Sequence, residues 1–253
     1  MAAASGPGRA GAIEAQLRRD VALGCRVLAR AGLVENVLGH VSARTGSDRM
    51  LIRCRGPEER GLLFTTSEDV HEVSLDGSGK LPDGYVVPAE LPIHGEILRS
   101  RTTAGAVVHA HPPSVLIAAL ADLSLAPAFG AYNIPAMRLA MDGVPVYRRA
   151  VLVRRPELAR ELDKAMGRSS VCIVLGHGLT SVGDGVEQAV VRALDLDVLA
   201  QLTLRLAAAG GSAWRVPAED LAELPDLGGG LNDKAVWRFH VARLEHEGLG
   251  LPA

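Results

Sequence analysis

The sequence predicts a single α/β domain, an αβα sandwich around a largely antiparallel central sheet. Three observations lead there. Hydrophobic residues make up 48% of the 253 residues and charged residues 22%, which suits a soluble globular chain with a sizeable core. Short β-rich runs, separated by Gly, Ser, Asp and Pro turns, cluster among a few amphipathic helical stretches. The order of these elements is mixed, with neither an internal repeat nor an internal domain boundary. Aromatic residues are only 3%, so the core has to be built from Ala, Val and Leu.

Each element has its own signal. Residues 1–11 are small and flexible in composition, and residues 12–31 carry Ile13, Leu17, Val21, Leu28 and Ala31 at helical spacing before Gly32, a helix stop. Strands are predicted at residues 37–44, 50–53, 62–64 and 70–75. Pro88 precedes a helix over 89–99, followed by a strand at 105–110 and a helix over 112–120. Residues 121–145 are punctuated by Pro and Gly and read as a long irregular segment of the kind that borders a site. Pro156 opens a helix to residue 166, 171–175 is an apolar strand, and 179–182 returns as strand after the turn Gly176-His177-Gly178. Residues 187–209 form a long helix closed by Gly210 and Gly211. A Pro/Gly-rich loop over 215–230 leads to a last helix at 233–246. The division is thus a flexible start (1–11), one domain (12–211) and a C-terminal extension (212–253) expected to pack on that domain.

Composition narrows the function classes. Lys plus Arg (27) nearly balances Asp plus Glu (29), a net charge of −2, which excludes a strongly basic surface for nucleic acid or anionic lipid. Cys25, Cys54 and Cys172 are odd in number, widely spaced and form no CxxC pair. They point to a reducing cytoplasm rather than to a disulfide framework or a thiolate zinc knuckle. The start of the chain lacks the apolar run of a signal peptide. The most apolar stretch, residues 104–121, is interrupted by His109, His111, Pro112 and Pro113, which a membrane span does not tolerate.

The chemistry sits in the histidines. His109-Ala110-His111 ends an apolar strand, and residues i and i+2 share a strand face, so both imidazoles can reach one point. Two separately hydrogen-bonded histidines satisfy the same pattern. His177, between two glycines, would supply a third nitrogen donor and complete an open three-His site, or would simply occupy a tight turn. Glu90 lies near a helix start, where it is either a general acid/base or an ordinary first-turn acid. His94, one turn on, reads as structural, and His71, His240 and His246 read as surface residues.

In this order the residues resemble the class II aldolase/adducin family. The matching runs are Gly39-His40-Val41-Ser42-Ala43-Arg44, Leu63-Phe64-Thr65-Thr66-Ser67, Pro88-Ala89-Glu90 through His94, Ala106-Val107-Val108-His109-Ala110-His111 and Leu175-Gly176-His177-Gly178. The resemblance spans residues 13–209 and implies a class II aldolase-like αβα sandwich. It also implies one divalent metal per subunit on His109, His111 and His177, Glu90 as general acid/base, and a homotetramer with sites at subunit interfaces. Zinc is the expected metal; Mn, Fe and Co suit the same donors.

Three departures bear on substrate. Sugar-phosphate members hold phosphate with a Gly-Asn turn, a Ser-Gly turn and a Ser-Ser pair, where this chain has Gly39-His40, Ser67-Glu68 and Pro88-Ala89. An acid and two lost hydroxyls replace the donors that a phosphate dianion needs. Members with a GHxSxR turn decarboxylate hydroxy-aromatic or hydroxy-dienoic carboxylates, so the resemblance implies a metal-dependent lyase, a decarboxylase, acting on a small hydroxy-carboxylate. The alternatives are an aldolase or epimerase for a non-phosphorylated substrate, or a non-catalytic adducin-like interaction protein. Candidate substrate-binding residues are His40, Ser42, Arg44, Ser67 and Tyr132.

Overall fold

The computed structural model describes residues 8–211, 214–227 and 231–251. Seven strands form one sheet in the order β3-β2-β1-β4-β7-β6-β5. They are β1 (His40–Arg44), β2 (Arg49–Arg53), β3 (Val70–Ser74), β4 (Ala106–Ala110), β5 (Val146–Tyr147), β6 (Val171–Val174) and β7 (Gly178–Gly183). Every pairing is antiparallel except β5 with β6.

Period-two alternation makes the sandwich. On β4, Ala106, Val108 and Ala110 face one side with Val41 and Ala43 of β1, against α1 (Arg9–Arg30), α3 (Pro113–Leu120), α6 (Val186–Ala208) and α8 (Leu231–His246). Val107 and, from β2, Met50 and Ile52 face the opposite side, against α2 (Leu91–Ser100) and α5 (Pro156–Met166). The two cores are mostly aliphatic, and each fully buried Leu or Ile contributes roughly 1.5–3 kcal/mol. Trp237 and Leu244 of α8 are buried in the first core, and Arg26 of α1 donates to the carbonyls of Leu249 and Gly250. The last helix therefore packs on the same body as α1 and α6. Among the described residues, no helix is long and apolar enough to cross a membrane.

The αβα architecture and the antiparallel sheet match the expectation, and five local readings need correction. Residues 62–64 form a 3-10 turn (Leu62–Phe64), not a strand. Gly61 at φ 85° folds the chain there, and a Cβ on it would lie 2.2 Å from the Asn36 carbonyl oxygen. The first strand starts at His40 rather than 37, because Leu38 N–H closes a tight turn onto the Glu35 carbonyl. Segment 121–145 holds a short helix, α4 (Ile134–Arg138), capped by Asn133, whose side-chain oxygen accepts from Ala136 N–H. Loop 215–230 holds α7 (Ala218–Glu223). Helix α1 begins at Arg9, before the expected residue 12; the rest of the start expected to be flexible, residues 1–7, lies outside the described residues.

Candidate active site

Four side chains converge at the end of β4 on the α2 face. His109 is the last residue but one of the strand, and His111 follows on the same face. His177 sits in the β6–β7 turn beside them. Gly178 is what permits this approach: a Cβ there would lie 2.2 Å from the Ala110 carbonyl oxygen and 2.9 Å from the His111 ring. Gly178→Ala is accordingly expected to cost about 1–3 kcal/mol by overpacking and to weaken any ligand shared by His111 and His177. Thermal melts and metal titration check this; a wild-type melting curve with wild-type metal binding would show that the turn yields freely.

Glu90 is the residue that caps α2 at its start, but its carboxylate makes no capping bond. It turns toward the histidines instead. Oε1 accepts from Val153 N–H at 2.8 Å, and Oε2 lies 3.4 Å from His109 Nε2 and 3.3 Å from His177 Nε2. His109 Nε2 is 2.9 Å from His111 Nε2 and 3.4 Å from His177 Nε2. One donor atom from each of the four lies within 4.8 Å of every other. Bonds of about 2.0–2.1 Å to a tetrahedral zinc-like ion would place ligand atoms roughly 3.3–3.4 Å apart, close to these separations.

The tautomers suit a cation as well. His177 Nδ1 lies 3.1 Å from the Val151 carbonyl, which can only accept, so the neutral ring keeps its proton on Nδ1 and turns the Nε2 lone pair to the cluster. His109 Nδ1 is 3.3 Å from the Thr180 hydroxyl. Bare imidazole Nε2 lone pairs aimed at one point repel each other, and a cation between them relieves that repulsion for all of them at once. The donor set therefore fits a divalent metal.

Electrostatics set the resting protonation. Burial alone raises the Glu90 carboxyl, but hydrogen bonds and charge from His109 and His177 outweigh it and hold the group far below the usual carboxylate range. Glu90 is thus ionised at rest. Burial lowers the His177 imidazole, and the Glu90 carboxylate more than compensates, leaving it raised. Burial and its neighbouring histidines push His111 down to about 3, so it stays neutral.

The other expected residues divide. His40, directly across from His109 in the β1–β4 register, stacks its ring on that of His109 with centroids 5.1 Å apart. Ser42 is fully buried and bonds His94 Nδ1 at 2.6 Å, so it is shielded from substrate, contrary to the expectation. Arg44 also needs correction. Its guanidinium bonds the carbonyls of Ala104, Leu98 and Arg101, closing the C-terminal end of α2, and it is not a partner for a substrate carboxylate. Ser67 is half-buried at the start of a second 3-10 turn (Ser67–Asp69), and Tyr132 is 73% exposed against the Phe129 ring. Among the described residues, no hydrogen bond or ring contact joins either to the four.

His94, read as structural from the sequence, and Thr180, which the sequence left unassigned, are the polar neighbours of the cluster. His94 is fully buried and pushed down to about 3 by desolvation. His71, expected at the surface, is half-buried with its ring edge-on to Tyr85, centroids 4.4 Å apart. His240 is half-buried too, and only His246 is exposed.

Comparison with known proteins bears on the family and the fold. Residues 19–204 match the family described as Class II Aldolase and Adducin N-terminal domain. The chain is 52% identical over 231 residues to the 3,4-dihydroxyphthalate decarboxylase of Arthrobacter keyseri, covering 90% of this chain and 93% of that one. It is 53% identical over 230 residues to the enzyme of the same name from Terrabacter sp. (strain DBF63), covering 90% and 96%. An aldolase II superfamily protein from Pseudomonas syringae superposes with a TM-score of 0.77 at 24% identity, over 93% of this chain and 94% of that one. At that identity the likeness speaks for the fold alone.

Proposed function

The chain belongs to the class II aldolase and adducin family and is a lyase of its decarboxylating branch, and we propose that it removes one carboxylate from a hydroxy-aromatic diacid of the 3,4-dihydroxyphthalate type. The observation that carries this is identity above 50% over nine-tenths of the chain to decarboxylases of that name. The site is in keeping with it. Where sugar-phosphate members place phosphate donors, this chain has an exposed Glu68, a buried Pro88, an exposed Ala89, and a His40 whose Nδ1 is already bonded to His94. Adducin-like interaction alone gives no reason to hold three imidazoles and a carboxylate within 4.8 Å of each other.

In this reading His109, His111 and His177 hold one divalent metal per subunit, with zinc the proposed ion and Mn, Fe or Co suited to the same donors. When bound, the metal supplies a Lewis acid to the oxygen that gains charge as the C–C bond breaks. Glu90, ionised at rest, takes the proton of the ring hydroxyl beside the departing carboxylate. It returns that proton to the ring carbon bearing the carboxylate. The C–C bond then breaks, CO2 leaves, the electron pair restores the aromatic ring, and a solvent proton regenerates the hydroxyl. One proton is consumed for each CO2 released. Val153 N–H keeps Oε1 fixed through both transfers, leaving Oε2 to carry the proton.

The same reading includes a body spanning 12–211 with 212–253 packed on it and a homotetramer. It also places the protein in the cytoplasm, in keeping with three buried, unpaired thiols. The test is a side-by-side panel of 3,4-dihydroxyphthalate against fuculose and ribulose phosphates, with CO2 and aldehyde both followed. CO2 with one equivalent of the ring product from the diacid is expected. Each lost charge-assisted hydrogen bond to phosphate costs roughly 1.5–3 kcal/mol, so sugar phosphates should be poorer by orders of magnitude. Efficient turnover of a sugar phosphate, with no CO2 from any acid, would overturn the proposal.

A further inference from the structure

Beneath the four converging groups runs a second, buried polar chain that takes no part in the steps above. Ser42 Oγ lies 2.6 Å from His94 Nδ1, and His94 Nε2 lies 2.6 Å from His40 Nδ1. Ser42 and His94 have no exposed surface, and His40 is 5% exposed. The chain spans two layers: Ser42 and His40 project from β1 onto the α2 face, and His94 projects from α2 onto the sheet. Its far end, the His40 ring, is stacked on the His109 ring at 25°.

Hydrogen-bond accounting fixes the direction of this chain. Each neutral imidazole carries one N–H and one bare nitrogen. The Ser42 hydroxyl proton has one acceptor within hydrogen-bond distance among the described residues, His94 Nδ1. Donation there makes His94 Nδ1 bare and puts the His94 proton on Nε2. His94 Nε2–H then donates to His40 Nδ1, which puts the His40 proton on Nε2. The opposite arrangement would leave the Ser42 hydroxyl proton buried and unpaired, a costly state. Among the described residues, no protein group bonds His40 Nε2. A neutral N–H donor is thus aimed from a fixed ring beside His109.

We infer that His94, oriented by Ser42, is a positioning residue that presents His40 Nε2–H to the carboxylate the substrate keeps. The inference rests on the decarboxylase reading. A neutral donor suits a carboxylate that must be gripped without being protonated. It also separates the two carboxylates of a phthalate: one departs near Glu90, and its neighbour on the ring is held by His40. The chain therefore selects a diacid over the corresponding monoacid, which lacks the retained carboxylate.

The experiment compares 3,4-dihydroxyphthalate with 2,3-dihydroxybenzoate, the same ring without the retained carboxylate, in wild-type holoenzyme and three variants. Ser42→Ala removes the hydroxyl that orients His94. His94→Phe keeps the ring volume without nitrogens. His94→Gln keeps a carbonyl for Ser42 and an amide N–H for His40. Ser42→Ala and His94→Phe are expected to cut the preference for the diacid roughly 10- to 100-fold, the size of one hydrogen bond to a charged group. The loss should appear in KM for the diacid rather than in kcat, and His94→Gln should restore most of it. Nitrogen-15 spectra of the wild type should show His40 protonated on Nε2. Equal losses on both acids, or a His40 protonated on Nδ1, would overturn the role of His94 while leaving the decarboxylase reading in place. A wild type that releases CO2 from neither acid would overturn the substrate reading, and the carboxylate role with it, whatever the His40 tautomer.

Discussion

Glu90→Gln is expected to lower kcat by roughly 10²–10⁴-fold, the usual contribution of a positioned general acid/base, with metal content unchanged. The substitution is close to isosteric, and the structure shows why it should fold. The Gln carbonyl can accept from Val153 N–H as Glu90 Oε1 does at 2.8 Å, and its amide takes the place of Oε2 beside His109 and His177. What it cannot do is accept a proton from the ring hydroxyl and deliver it to carbon. Steady-state kinetics and metal analysis on the same preparation decide the matter. A variant that turns over at the wild-type rate would reduce Glu90 to a structural acid at a helix start. One that loses its metal with its activity would make Glu90 a ligand rather than a proton carrier.

The three histidines and Glu90 were legible in the sequence for simple reasons. Strand alternation puts His109 and His111 on one face without knowledge of any tertiary contact. The glycines around His177 advertise a turn in which two chains approach closely, and Gly178 turns out to be the one without room for a Cβ. A lone acid at a helix start carries less information. Its place beside the histidines shows only once its carboxylate is seen to decline the helix and meet two imidazoles.

What stayed hidden depends on register and on helix rotation. Ser42, His94 and His40 form a chain because β1 pairs with β4 so that His40 lies opposite His109, and because α2 turns His94 inward. Neither fact can be computed from local spacing. Arg44 failed for the same reason. Two residues beyond Ser42 on the same face, it meets the end of α2 instead of the cluster, and the unpaired carbonyls there claim its guanidinium. The strand β5 is two residues long and exists only through its parallel partner β6, so no local pattern marks it.

The proposed metal ligands yield the second large effect. His109→Ala is expected to weaken metal binding by at least about 10–100-fold, because disturbing even the partners of a ligand costs that much. His109 is the sharpest choice. Its Nε2 lies within 3.4 Å of His111, His177 and Glu90, so its loss removes the one imidazole that meets all the others. It is also fully buried, and truncation leaves a cavity, so a melting curve must accompany the measurement. His177→Ala guards against misreading a folding defect. That side chain is 13% exposed in a hairpin turn, and its removal should leave the sheet intact while lowering affinity similarly. The direct readout is metal per chain after dialysis against a chelator of graded strength, independent of any substrate. Wild-type protein should keep one equivalent where both variants are stripped. If both variants keep a full equivalent at wild-type affinity, the ion is held elsewhere, and the convergence of His109, His111 and His177 is a structural knot of imidazoles rather than a metal site.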